Sequence, residues 1–596
     1  MGRSPRKIRQ DPAKGGKLFY ALTGSQEREP DTRTGFPRPW QEALKMSTAG
    51  GKRRTGSMQA LKVEETVRPP DAMQRATGLV RQVATADQLI FNLFMLNLGL
   101  AGVYIFEIGP FARPQANLYL TTLIAGIGFS ALGGIYALLS CAIPRTGGDY
   151  VFNTRVLGGS VGFLGSWLNF VVFTTIGGAS VAWFWAHSGV PFALGTIVRA
   201  SGSDSLQRVL FLLSTPWGET LAATCLIGLS TLVLLKGLAT LMRIQRWLFA
   251  VGISGLVAVF GLLLFSSRAE FQARFDSLAG PGAYDHALTL AAASNIGASS
   301  WNWSSTLSLF PMFAVPALFA VTTNWFAGEL SDVQSPRRSL LTMAGAVVVL
   351  VAVTWLLNWA LRKTVGAEFL AAITALYFRN APQYPLSSDP NYFHLASLLT
   401  PNAILACVIG LGWLAWCTMW IPGNMVFAIR LLFSWSVDGL TPGPLTRVSL
   451  RTHTPLVATI VVACLTEAFL LVSRFGTMFH FFVAASFMVN VAMSVTCFSA
   501  ILFPFRLRKV YLASPLRREL AGIPVVSILG ALAALTMIVT DIQFLMVREF
   551  GVARVAPLAY GACSIVAGIG VYYGLLRWRQ SQGMDPRRAF AEIPPE

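Results

Sequence analysis

Residues 88–111 read QLIFNLFMLNLGLAGVYIFEIGPF, and residues 305–328 read STLSLFPMFAVPALFAVTTNWFAG. Each run is apolar and long enough to cross a bilayer, whose hydrocarbon core takes about 20 residues of α-helix. Each is also interrupted. In the first, Asn97, Gly99 and Gly102 fall near mid-depth; in the second, Pro311 and Pro316 remove backbone donors, and the polar run Thr322-Thr323-Asn324 follows. Irregular backbone at membrane depth is tolerated only where it lines a cavity or is buried in protein, so an interrupted span marks a candidate site.

Composition supports a lipid solvent. The chain has 596 residues, 54% hydrophobic and 13% charged, whereas soluble globular domains carry about 25% charged residues. Further apolar runs of spanning length occur near 117–143, 159–186, 219–238, 247–266, 339–361, 402–432, 455–473, 477–505, 521–546 and 553–576. The predicted fold class is therefore an all-α membrane protein of about twelve transmembrane helices. Shorter apolar pieces at 190–198 and 209–214, broken by Gly, Pro and charges, read as part of an external loop. The interrupted runs are the first and sixth spans, which correspond if ten helices form two five-helix inverted halves.

An even number of spans puts both termini on one side, and basic residues identify the side. Of the 47 Lys and Arg residues, 17 lie in residues 1–82, 19 on loops and termini that share that side, and 11 on the other. That excess predicts a multi-pass protein of the cell membrane with both termini cytoplasmic. Residues 1–82, with 17 basic and 8 acidic residues and no sustained apolar period, read as a basic disordered tail attracted to anionic lipid headgroups. Its aromatics are not interleaved with its charges, so nucleic acid is not an expected partner. An apolar leader is absent from this stretch, which leaves the first span to direct insertion; Met46, Met58 and Met73 are alternative starts. Residues 83–505 form the ten-helix core, 506–576 two additional helices, and 577–596 a cytoplasmic C-terminal tail.

A break in a helix frees N–H groups at the start of one half, where the dipole is positive, and carbonyls at the end of the other. Those two poles suit a zwitterion. The candidate substrate-binding residues are Asn97, Gly99, Ala101 and Gly102 in the first span and Pro316, Ala317, Ala320 and Asn324 in the sixth. Helix packing explains a single glycine or proline equally well, and only the pairing of the two spans favours a site.

Three further segments resemble the amino acid permeases of the amino acid-polyamine-organocation superfamily. They are Ile143-Pro144-Arg145-Thr146-Gly147-Gly148-Asp149-Tyr150 with Gly162-Phe163-Leu164-Gly165; Ala327-Gly328-Glu329-Leu330 with Ser335-Pro336-Arg337-Arg338; and Ala428-Ile429-Arg430 through Asp438-Gly439-Leu440-Thr441-Pro442 to Thr454-Pro455. Each is explicable as a turn or a cap; their order along residues 78–596 carries the resemblance. It implies a leucine-transporter-like five-plus-five inverted repeat with two extra helices, and secondary active transport of amino acids or small amines by alternating access. The chain differs from the family pattern in spacing Gly99 and Gly102 three apart, and in lacking a clear glycine between aromatics in the sixth span.

Embedded ionisable residues are candidates for gating or proton coupling. Glu329 closes the sixth span and could pair with Arg145 or Arg430 as an inner gate. Glu467 lies roughly 18 Å into the ninth span at 1.5 Å per residue, as a candidate proton carrier or an interhelical hydrogen-bonding group. Glu107 reads as an exposed carboxylate at the outer interface, and His480 as a core histidine.

The resemblance also informs the driving ion. Sodium-coupled members of the fold use hydroxyls of the eighth span, where this chain offers Thr418 alone, and some proton-coupled relatives carry a lysine in the fifth, where Gly252 stands here. Both differences favour sodium-independent transport, by exchange or with a proton as the coupling ion. Seven cysteines in apolar stretches and five scattered histidines show no metal-ligand spacing, so neither a metal, a cofactor nor a membrane-embedded enzyme is expected. The alternative function is a transporter-like sensor that binds an amino acid without net flux.

Overall fold

The structure is a computed structural model that describes residues 77–293, 301–386, 388–473 and 478–592, excepting the side chains of Ile176, Ala293 and residues 478–483. The tail reading for residues 1–76 and the His480 side chain lie outside the described residues.

Twelve helices among the described residues are long and apolar enough to cross a membrane. Spans 1 to 6 are Thr85–Ala112, Leu118–Ala142, Gly159–Ser201, Pro216–Leu235, Leu238–Phe265 and Trp303–Trp325. Spans 7 to 12 are Pro336–Thr364, Ala403–Val437, Leu456–Ser473, Ala484–Arg506, Val525–Met546 and Val555–Ser581. The protein is thus an all-α, multi-pass integral membrane protein. Shorter helices at Ala367–Phe378 and Tyr392–Ser397 cover the face opposite the N-terminal side.

The interrupted spans occupy the centre. In span 6, 94% of the apolar window is buried in protein, and in span 1, 83%, against 22% for spans 5 and 12. A broken helix cannot face lipid, because its freed backbone groups would go unpaired there. The least buried windows belong to unbroken spans 4, 5, 9 and 12, at 22–28%, as expected of helices that satisfy most backbone groups internally.

Two segments differ from the sequence reading. Residues 190–214 are helical rather than irregular loop: Val190–Ser201 continues span 3 and Asp204–Leu213 follows. Pro191, a residue that suggests a break, sits just after the π-helical turn Trp185–Gly189, where the helix ladder is already shifted. Span 5 begins at Leu238, nine residues before the apolar run, since Gln245 and Arg246 lie on the same helix and find partners on span 1.

Candidate functional site

Asn97 builds the break in span 1. Its φ of 51° lies in the left-handed region, which Asn visits more readily than most side chains because its amide can bond locally. Its backbone N–H ends the first half-helix on Phe94 O at 2.9 Å. Its Oδ1 accepts the Leu100 N–H at 3.0 Å, capping the next half, and its Nδ2 donates to Trp416 O of span 8 at 3.1 Å. One amide therefore closes one half-helix, opens the other and ties both to span 8.

The carbonyls around this break are already engaged. Trp420 Nε1 donates to Met95 O at 2.6 Å, and the Tyr392 hydroxyl to Leu98 O at 3.0 Å. Gly99 and Gly102 lie beneath the aromatic rings of Trp416 and Tyr392. A Cβ on Gly99 would stand 2.8 Å from Trp416 Cδ1, and one on Gly102 would overlap the Tyr392 ring. Their first service is to let those rings seal the broken segment, with Ala101 buried between them.

In span 6 the irregularity takes a tighter form than an unwound loop. Helix Trp303–Ser308 ends at Leu309, Pro311 starts Phe310–Ala317 with Pro316 inside it, and Leu318–Trp325 is wound as a 3-10 helix. Pro316, Ala317, Ala320 and Asn324 are all buried. Asn324 presents an amide with neither atom hydrogen-bonded, against the backbone of Gly148. Phe319 faces a cavity of about 20 Å³ between spans 3, 6, 8 and 10, shared with Gly177, Trp420, Asn424 and Ser486. That volume holds about one water, less than an amino acid needs. The Asn424 Nδ2 donates to Trp420 O at 2.8 Å, while its buried Oδ1 has no partner. Gly177 lies in a π-helical turn, Thr175–Ser180, and a Cβ there would come within 2.8 Å of that oxygen.

Three bidentate charge pairs lie at the N-terminal face. Arg430 grips Glu329 through Nε at 2.7 Å and Nη2 at 2.9 Å, with both side chains almost fully buried. Arg145, the other candidate partner, instead donates to Pro144 O at 3.4 Å. Arg155 holds Asp438 through two bonds of 2.7 Å, and Arg246 holds Asp87 through two of 2.6 Å. Gln82 and Val83 both donate to Glu329 O, at 3.0 and 3.1 Å, and Ser331 N–H donates back to Val83 O.

Asp149 accepts from Trp325 Nε1 at 3.0 Å, the Tyr150 N–H at 2.9 Å and Asn169 Nδ2 at 2.7 Å. Burial pushes its carboxyl up to about 7, against the opposing pull of those donors. On the other face, burial holds the His394 imidazole below its ordinary 6.5.

The two embedded glutamates of the sequence reading separate here. Glu467 accepts from Thr224 Oγ1 of span 4 at 2.6 Å, an interhelical hydrogen bond at the rim of the bundle. Glu107, expected at an exposed interface, is 1% exposed, and neither carboxyl oxygen has a hydrogen-bond partner. The reason is tertiary: Val103–Ile108 is a π-turn packed by Phe310–Ala317 and Ala367–Phe378. Sequence reasoning also missed Phe319 and Asn424 at the cavity. Asn424, a polar residue after Pro422-Gly423 in an apolar run, was the available signal.

Over 54 residues the chain is 44% identical to Asc-type amino acid transporter 1 of Homo sapiens, and equally to those of Mus musculus and Rattus norvegicus. The match covers 9% of this chain, which thus spans about 10% of the length of the curated relatives it matches. The sequence profile of the amino acid permeases matches residues 89–556, from span 1 to the start of span 12. On that extent of agreement, the chain belongs to the amino acid permease family.

Proposed function

We propose that this permease carries amino acids or related small amines across the cell membrane by alternating access, with both termini in the cytoplasm and without sodium. The observation that carries the reading is the small cavity between spans 3, 6, 8 and 10, where Asn424 Oδ1 is a buried acceptor with no donor. An orphaned acceptor costs free energy that a substrate ammonium would recover. Phe319 and Trp420 supply the apolar walls. The similarity to Asc-type amino acid transporter 1 supports the same substrate class.

Sodium independence is supported by span 8. The Thr418 hydroxyl donates to Leu414 O and accepts from Trp185 Nε1, so it is committed to neighbours. Gly252 O accepts from Trp416 Nε1 at 3.0 Å, which fills the neighbouring position of span 5 with an indole.

The test is uptake of labelled amino acids into proteoliposomes, with sodium replaced by choline. Flux that survives the replacement is expected. Asn424→Ala is expected to weaken apparent affinity about tenfold, the equivalent of one hydrogen bond to a charged group. Binding without flux would replace transport by sensing, and loss of flux in choline would refute sodium independence.

A further inference from the structure

Among the side chains described within the spans, Glu107 is the carboxylate that is buried with no donor to either oxygen. We propose that Glu107 is the proton-binding site of the transport cycle, taking up a proton from the face opposite the N-terminal tail and releasing it when the site opens to the other side. The proposal rests on the transport reading above and adds the coupling ion and the group that carries it.

The argument is one of solvation. A carboxylate removed from water and given no donor is costly by several kcal/mol, so this surrounding accommodates the neutral acid. The neighbours reinforce that preference. Asp389 acts on Glu107 electrostatically, and Tyr377 and Tyr384 lie within the reach of both acids. Asp389 has donors of its own, Asn391 Nδ2 at 3.0 Å and Ser188 Oγ at 3.3 Å, and its charge opposes a second one nearby. Tyr392 sits across Phe106, with ring centroids 6.0 Å apart. The packed half-helix Phe310–Ala317 brings no titratable group, and Arg113, close in sequence, is paired with Glu549.

The segment also lies next to the break in span 1. Glu107 sits in a π-turn immediately beyond the half-helix Leu98–Gly102, whose start is the Asn97 break. A π-turn is a local misfit in the helix ladder that recurs at functional sites. Rotation of that half-helix would expose the carboxyl to water, where the O–H bond breaks and the proton passes to solvent. Return to the buried position requires a proton from the solvent then in contact, which re-forms the O–H bond. Glu467 lacks this property, because it is only partly buried and Thr224 supplies a donor.

The experiment uses the full chain in proteoliposomes loaded with a pH-sensitive dye. Substrate added outside is expected to acidify the lumen in the wild type, and an inward proton gradient to accelerate uptake. Glu107→Gln is expected to abolish lumenal acidification and to leave exchange with a flat pH profile, while Glu107→Asp restores part of the pH dependence. Substrate flux in the wild type with no proton movement would overturn the proposal while leaving transport standing, as would gradient-driven uptake that persists in Glu107→Gln. Absence of any flux in the wild type would defeat the transport reading itself. If acidification occurs only with sodium present, the ion is sodium-linked and the proton assignment fails.

Discussion

The two ends of the central helices treat charge in opposite ways. At the N-terminal face, Asp87, Glu329 and Asp438 each meet an arginine through two short hydrogen bonds, and the chain before span 1 is laced to the end of span 6. At the other face, Glu107 on the same span 1 is buried with no hydrogen-bond partner. Arg430–Glu329 and Arg155–Asp438 are buried on both sides, so either partner left alone would be costly, whereas the Arg246 side chain is 60% exposed and only Asp87 is buried. A lone carboxyl is a switch, since one proton changes whether it can be buried. Span 1 therefore joins paired charge at its start to a lone carboxyl near its end, with the Asn97 break between them; under the proposals above these act as a lock, a switch and a joint.

The largest expected effect comes from breaking the lock on one side only. Arg430→Met strands Glu329 in a buried site and is expected to cost roughly 3–5 kcal/mol of stability. Adding Glu329→Met removes the stranded charge and should recover most of that loss, read as thermal melting of the purified protein. Equal melting of the single and double variants would show that the pair contributes no differential stabilisation. In transport, the recovered double variant should lose tight closure of the N-terminal face and show substrate leak.

A smaller effect is expected at the joint. Gly102→Leu pushes the Tyr392 ring off the broken segment and should abolish uptake while leaving membrane insertion intact; overpacking of this kind costs about 1–3 kcal/mol. Tyr392→Phe keeps the ring and loses only the bond to Leu98 O, worth about 1 kcal/mol. Comparing melting and uptake for the two separates ring packing from carbonyl capping. Wild-type flux in Gly102→Leu would remove the joint from the mechanism.

What the sequence made legible follows from range. The spans were readable because length and apolarity are local properties, and eleven of the twelve starts shifted by seven residues or fewer, with span 5 the exception. The break at Asn97 was readable because Asn and two glycines are conspicuous in an apolar run. Its meaning was less so. The atoms that satisfy it come from Trp416, Trp420 and Tyr392, between 294 and 325 residues away in the chain, and no local pattern encodes that arrival. The same limit separated Arg430 from Arg145 as the partner of Glu329, and hid Glu107, which is covered by helix Ala367–Phe378. Charge sign and side of the membrane could be read; which charge meets which could not.

The smallest expected effect concerns the N-terminal tail, and it sharpens where the lock begins. Residues 77–83 are part of it: Leu79 is buried, Gly78 O accepts from His453 Nδ1 at 2.9 Å, and Val83 pairs with Leu330. Deleting residues 1–72, to restart at Met73, removes none of these contacts, so transport per molecule in the membrane should equal that of the full chain. Extending the deletion through Val83 removes the donors to Glu329 O and the acceptor for Ser331, while leaving span 1 intact from Thr85. That longer deletion should weaken closure of the N-terminal face in the same direction as the Arg430 and Glu329 double variant, read as substrate leak at matched protein amount. Equal leak from the two deletions would place the lock in the arginine pairs alone, whereas loss of transport from the shorter one would assign residues 1–72 a part in gating.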